Sequence, residues 1–273
     1  MQLKKIYLVA ILTLACNISS YTQTYSRIVS LSRSITQEIY LLGAKDNLVG
    51  CTSYCDFAIK DNKEVVASAV DVNIEKVIIL RPDLVLTTTI TTPEAIETLK
   101  KAGIKIIAFQ TTKSYEEICQ NLRQVAEYTG KTLVADQIIK KQKHRLDSII
   151  SNIPKGNKPR IFFEIGTKPI FTVLTNTFMN DFITFAGGEN IASDLQKGTM
   201  TRESVFLRNP DVIVIVTMGI LAEEERDRWA SSKELNAAKN KKIFIIDSDK
   251  ACSPTPVTFI DVVEELTKLI YNK

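Results

Sequence analysis

Histidine is almost absent from this chain: His144 is the only one in 273 residues. A three-histidine metal site cannot be built from it, which disfavours the zinc and manganese carriers that use one. A histidine-based catalytic triad would need His144 beside a nucleophile. It falls instead inside a long helical segment, where it reads as a solvent-facing or packed helix residue. Tryptophan also occurs once, as Trp229. The glycines form no phosphate-binding loop of either familiar type. Gly187-Gly188 follows a helix rather than a strand and signals a turn. The cysteines include no Cys-x-x-Cys pair, so a metal-type thiol site is not indicated. No apolar run approaches the ~20 residues that span a bilayer. Charge of one sign is scarce too. The net +4 falls to +2 without Lys4 and Lys5, too little to argue for nucleic acid or an anionic membrane surface.

What is present begins with an export signal. Lys4-Lys5 is followed by an apolar run over residues 6–15, the length and charge pattern of a secretory leader. Cys16 follows Thr13-Leu14-Ala15, which resembles a bacterial lipoprotein box with Thr13 where an aliphatic residue is usual. Two outcomes fit: lipidation at Cys16, or cleavage within residues 19–23 and release of a soluble exported protein. Either way the expectation is an exported bacterial protein, periplasmic or membrane-anchored. The remaining cysteines, Cys51, Cys55, Cys119 and Cys252, could oxidise in that compartment or stay as buried thiols.

The most informative feature is a unit that occurs twice, at residues 73–85 and 201–213. Glu75 and Glu203, Val77 and Val205, Pro82 and Pro210, Asp83 and Asp211 are each 128 positions apart. Each copy reads as a short capped helix, a Pro-Asp turn and a buried strand. A first-turn carboxylate is favoured by the free N–H groups and the helix dipole, by ~0.3–1 kcal/mol. That suffices for one copy. Two copies at equal positions would present two negative points on one edge, a pattern suited to paired arginines of a two-fold partner.

Around these copies, strand and helix patterns alternate from residue 27 to 109 and again from 160 to 271, which argues for mostly parallel sheets covered by helices. Between them residues 131–153 hold no Gly and no Pro and carry an apolar stripe. The expected architecture is α/β, two Rossmann-like lobes with mostly parallel sheets joined by one long interdomain helix. The expected division is a leader and tether at 1–26, an N-terminal lobe at 27–130, a connector helix at 131–153 and a C-terminal lobe at 154–273.

The chain resembles the helical-backbone class of periplasmic substrate-binding proteins, which feed ABC importers for cobalamin, haem and ferric siderophores. The segments that carry the resemblance are Val49-Gly50-Cys51-Thr52-Ser53-Tyr54-Cys55-Asp56, Asn73-Ile74-Glu75-Lys76-Val77, Arg81-Pro82-Asp83-Leu84-Val85, Phe163-Glu164-Ile165-Gly166, Ala186-Gly187-Gly188-Glu189-Asn190-Ile191 and Pro210-Asp211-Val212-Ile213. It covers about residues 27–273. It implies docking glutamates at Glu75 and Glu203, facing arginines of a permease dimer. It also implies cleft contacts at Tyr54, Phe171 and Asp249, a metal chelate as ligand, no cofactor, no catalytic residue and a monomeric carrier. The segments before each docking glutamate lack the aromatics seen in corrinoid and haem carriers. Lys168, Lys197, Arg202 and Lys250 are basic residues on expected cleft or rim loops, a hint of an anionic ferric chelate. The alternatives are an enzyme on a two-lobed α/β scaffold, or a scaffold protein that has kept the fold without the cleft.

Overall fold

The computed structural model describes residues 23–68, 71–216 and 222–271. The leader, Cys16 and Val70 lie outside these residues, as does Thr217, the expected end of one strand. The N-terminal lobe opens with β1 (Ile28–Ser30), α1 (Arg33–Leu41), β2 (Leu48–Thr52), α2 (Asp56–Lys60) and β3 (Glu64–Ala67). It continues with α3 (Ile74–Ile79), β4 (Leu84–Thr88), α4 (Pro93–Lys101) and β5 (Ile106–Phe109). Side-chain caps set the helix starts: Asn73 accepts from the Lys76 amide, and Thr92 from the Ala95 amide with Pro93 in the first turn. The five strands lie in the order β3-β2-β1-β4-β5, all parallel. The order reverses between β1 and β4. Open α/β sheets bind ligands outside the strand ends at such a switch.

Two helices follow. α5 (Tyr115–Thr129) is capped by Ser114 and closed by Gly130 at φ 70°, a left-handed position glycine adopts at no steric cost. α6 (Thr132–Ser151) is the expected connector, 20 residues long and thus about 30 Å. The C-terminal lobe holds β6 (Arg160–Thr167), β7 (Ile170–Thr172), α7 (Phe178–Phe185), β8 (Glu189–Asn190), β9 (Thr199–Met200), α8 (Arg202–Arg208) and β10 (Val212–Ile215). α9 (Ala222–Ala230), α10 (Asn236–Lys239), β11 (Ile243–Ile245), α11 (Ser248–Cys252) and α12 (Pro256–Tyr271) complete it.

The second sheet is mostly parallel, as expected, but it is mixed. β6, β8, β10 and β11 are parallel, but β7 turns back on β6 and β9 pairs antiparallel with β7. The cause is local. A two-residue connection at Lys168-Pro169 leaves no room for a crossover helix, so the next strand must return antiparallel.

The repeated unit is a true structural repeat. Asp83 accepts from the backbone amides of Ser26 and Arg27, and its own amide donates to the Arg27 carbonyl. Asp211 does the same to Arg160, at the start of β6. Each aspartate thus ties its strand to the first strand of its lobe. Arg81 and Asn209, also 128 apart, are both left-handed, at φ 46° and 43°. That conformation ends each helix and aims the chain into the Pro-Asp turn.

The joint is broader than one helix. A single apolar core runs through both lobes, from Ile28, Leu84 and Leu86 through Leu122, Ile139 and Leu146 to Phe163, Val214 and Phe259. Rings step across the boundary: Phe163 on Phe182, Phe182 on Phe259 with centroids 4.3 Å apart, and Phe259 on Tyr115. The Asp181 carboxylate accepts from the Tyr115 amide at the start of α5. Arg145 of α6 pairs with Asp261 and Glu264 of α12 at 2.9 and 2.6 Å.

Candidate functional site: an inter-lobe cleft and two exposed helix ends

The cleft lies where the strand ends of the first sheet face the second lobe. After β1 the chain reads Leu31-Ser32-Arg33-Ser34, and after β4 it reads Thr89-Ile90-Thr91. Hydroxyls dominate. Ser32 and Ser34 are hydrogen-bonded to each other at 3.0 Å, as are Thr89 and Thr111. A cavity of about 180 Å³ sits there, closed from the second lobe by Phe178 and by Cys252, Ser253 and Pro254. A wider, shallow groove of about 730 Å³ adjoins it along α5, sharing Phe109 to Thr112 and Asn121.

One ion pair crosses the cleft. Arg33 donates to Asp249 at 2.9 Å and also to the Tyr54 carbonyl. Arg33 lies between the lining residues Ser32 and Ser34, and Asp249 opens the helix that ends at Cys252. The pair therefore stands at the cavity's edge. Two of the three expected cleft residues, Tyr54 and Asp249, are gathered round one guanidinium. Sequence reasoning missed Arg33. The available signal was its place directly after the first strand, at the switch point. Tyr54 is 55% exposed, on the turn after β2, with its ring free to meet a ligand. Asp249, expected in a loop, stands in the first turn of α11, whose cap is Asp247.

Phe171 is 42% exposed on β7. It pairs in register with Gly166, and a Cβ on Gly166 would lie 3.2 Å from the Phe171 ring. A side chain at position 166 would therefore press on that ring. No hydrogen bond, ion pair or ring contact joins Phe171 to Arg33, Tyr54 or Asp249 among the described residues.

Other expectations resolve differently. His144 is exposed on α6. Trp229 is fully buried and donates its indole N–H to Glu164 at 2.7 Å, so it belongs to the core. Arg202 is no free rim cation. It pairs with buried Glu225 and lies over the Trp229 ring, 4.2 Å from its centroid. Lys168, Lys197 and Lys250 are exposed. Burial, with Glu225 as a neighbouring negative charge, pushes Glu164 up to about 7. Cys51, Cys55, Cys119 and Cys252 are free thiols. Among the described residues no group of three or more His, Cys, Asp or Glu could hold a metal ion, and no helix is long and apolar enough to cross a membrane.

Glu75 and Glu203 are exposed in the first turns of α3 and α8, and neither takes part in an ion pair among the described residues. Hydrogen bonds accepted from its own amide and from the Thr201 hydroxyl hold the Glu203 carboxyl below its usual range. Each helix feeds the start of its strand, so its own first turn points back toward the strand ends that face the cleft. The match extends further than the sequence reading took it. Ile79 and Leu207, again 128 apart, are 76% and 89% exposed, and their neighbours Ile78 and Phe206 are exposed too. Each lobe thus presents one carboxylate and one apolar pair on a short helix.

Comparison with known proteins gives a consistent picture. A family model described as "Periplasmic binding protein" matches residues 28–250. An uncharacterised ABC transporter substrate-binding lipoprotein, YvrC of Bacillus subtilis, is 35% identical over 256 residues, covering 90% of this chain and 80% of that protein. Among solved structures, a possible iron-binding (periplasmic solute-binding) protein from Staphylococcus epidermidis has a TM-score of 0.81 at 27% identity, covering 92% of this chain and all of that one. The periplasmic vitamin B12 binding protein BtuF of Vibrio cholerae has a TM-score of 0.76 at 26% identity, covering 90% and 96%.

Proposed function

The chain belongs to the periplasmic binding protein family, and from that premise we propose that it is the substrate-binding component of an ABC importer. It captures a metal chelate of the corrinoid, haem or ferric siderophore class between its lobes and delivers it to a permease dimer. The observation that carries this reading is the duplicated surface. Glu75 with Ile79, and Glu203 with Leu207, occupy equal positions in two lobes. A partner built as a two-fold dimer can meet both with one recognition patch per subunit. Charge would steer and register the encounter, while the exposed apolar side chains supply burial.

In this reading Tyr54 and Phe171 offer flat apolar faces to the cargo, and Asp249 with Arg33 sets the polarity of one rim. The carrier works as a monomer without catalytic residues, and nucleic acid has no part in it. Residues 1–26 direct export, and Cys16 is the lipid attachment point. Residues 27–130 and 154–273 act as lobes about the connector at 131–153. The shared core and the ring stack across the joint oppose a large hinge rotation, because opening would break that packing. Closure on cargo is therefore small, and free and bound structures differing by a wide lobe rotation would contradict this.

The test is direct capture. Purified protein offered cyanocobalamin, haemin and ferric siderophores should retain one class in native mass spectrometry, with the matching absorbance band. Retention of none would sink the cargo reading.

A further inference from the structure

We propose that the cavity at the root of the cleft is a subsite for one neutral carboxamide arm of the cargo, and that the Glu38 carboxyl is the group that reads it. This deepens the cargo reading above and rests on it. Glu38 lies on α1, on the face that also carries Ile35 and Ile39, and it is 2% exposed. It lines the cavity, and its Oε2 is enclosed without a hydrogen-bond partner. Surrounding polar groups are uncharged: the hydroxyls of Ser32, Ser34, Thr88 and Thr111 and the amides of Gln110 and Asn121. No lysine or arginine lines the space.

Size limits what can enter. The cavity of about 180 Å³ would hold roughly six waters at ~30 Å³ each. That is below the ~300–1,000 Å³ of a site for a whole ligand. One arm fits and a macrocycle does not.

Chemistry then selects the arm. Burial raises Glu38 well above the usual carboxyl range and so favours its protonated, neutral form. A neutral carboxyl has one donor and one acceptor side by side. Its complement is a group with an acceptor and a donor at the same spacing, which a primary carboxamide supplies. With the carboxyl turned so that Oε2 also meets the cavity, two hydrogen bonds form and the orphaned oxygen gains a partner. A carboxylate arm offers acceptors only. Its second oxygen would face the Glu38 carbonyl oxygen, and the cation at the cavity's edge, Arg33, is already paired with Asp249. Amide-rimmed corrinoids are therefore favoured over haem, whose arms are carboxylates.

The experiment compares cyanocobalamin, its monocarboxylate derivatives (one peripheral amide hydrolysed) and haemin by calorimetry. Wild-type protein, Glu38→Gln and Glu38→Leu are used, with folding of each checked by thermal melting. Glu38→Gln keeps a donor beside an acceptor and should retain cyanocobalamin affinity. Glu38→Leu should weaken it about tenfold, the scale of two neutral hydrogen bonds. Against wild type, at least one monocarboxylate should bind about tenfold more weakly than cyanocobalamin, and Glu38→Leu should erase that gap. Equal cyanocobalamin affinity for wild type and Glu38→Leu would overturn the subsite and leave the cargo reading intact. So would haemin binding with no cyanocobalamin binding. Binding of none of these, nor of a ferric siderophore offered alongside, would overturn both.

Discussion

The two copies of the helix, Pro-Asp turn and strand unit match on the outside and differ underneath. Outside, both show a first-turn glutamate, a buried valine and an exposed apolar pair. Beneath α3, Val77 packs with small aliphatics: Val29, Leu31, Val66, Val85 and Leu99. Beneath α8, Val205 packs over Phe162, Ile213 and Trp229. There Trp229 is also stacked under Arg202 and bonded to Glu164. Two foundations that share only valine, leucine and alanine among their buried residue types hold up the same surface. Packing alone would not require that, because a core needs only the right volume. A common partner on the outside would.

The largest effect tests the surface. Reversing both glutamates, Glu75→Lys with Glu203→Lys, should cut ATP-driven uptake on the order of a hundredfold while cargo affinity stays unchanged. Each single reversal should do about the same partial damage as the other. Normal uptake by the double variant would end the paired-contact reading. Strongly unequal single variants would show that the partner meets only one lobe.

The foundations give the next test. Trp229→Ala should cost about 3–5 kcal/mol in denaturant unfolding, since it empties a large core volume and strips Glu164 of its donor. Val77→Ala, in the other lobe, should cost about 1.5–3 kcal/mol. If the two costs are equal, the lobes do not differ in the way their cores suggest.

Much of this was legible in the sequence, for identifiable reasons. The parallel first sheet follows from the strand and helix alternation, and the connector from an unbroken run without Gly or Pro. The repeat was found because Pro-Asp and the capped glutamate are rare enough together to stand out at one offset. The antiparallel return of β7 was missed because Ile170–Thr172 is too short to show a period. Trp229 could be placed on a helix, but not in the core. A nine-residue helix with Glu223, Glu224 and Glu225 in its first turn carries no clear apolar stripe. Glu225 is itself buried, held by Arg228 at 2.9 Å and by Arg202, so charge hid the buried face. Glu38 escaped for the opposite reason. It sits on an apolar stripe, where a carboxyl reads as a surface residue unless its position three after Ile35 is taken seriously.

A smaller effect sharpens the outer match. Ile79→Ser and Leu207→Ser should each weaken binding of cargo-loaded protein to the permease by up to about tenfold, leaving stability near wild type. Both side chains are exposed, so their loss opens no cavity. Vesicle-reconstituted permease and surface plasmon resonance give the measurement. No change from either would reduce the shared surface to its two charges.

A last test separates the foundations by pH. Glu164 has its carboxyl raised from 4.5 to about 7, first by burial. In that window the folded chain keeps a proton the unfolded chain has lost. Stability must then fall as pH rises from about 4.5 to about 7, and level off above, with a slope of at most ~1.4 kcal/mol per pH unit. Glu164→Gln keeps an oxygen to accept from Trp229 and has nothing to titrate. It should flatten this part of the stability profile, while a control substitution beneath α3, Val77→Ala, should lower the whole profile without changing its slope. A slope that survives Glu164→Gln would place the titrating group elsewhere, with the buried carboxyl of Glu38 the next to remove.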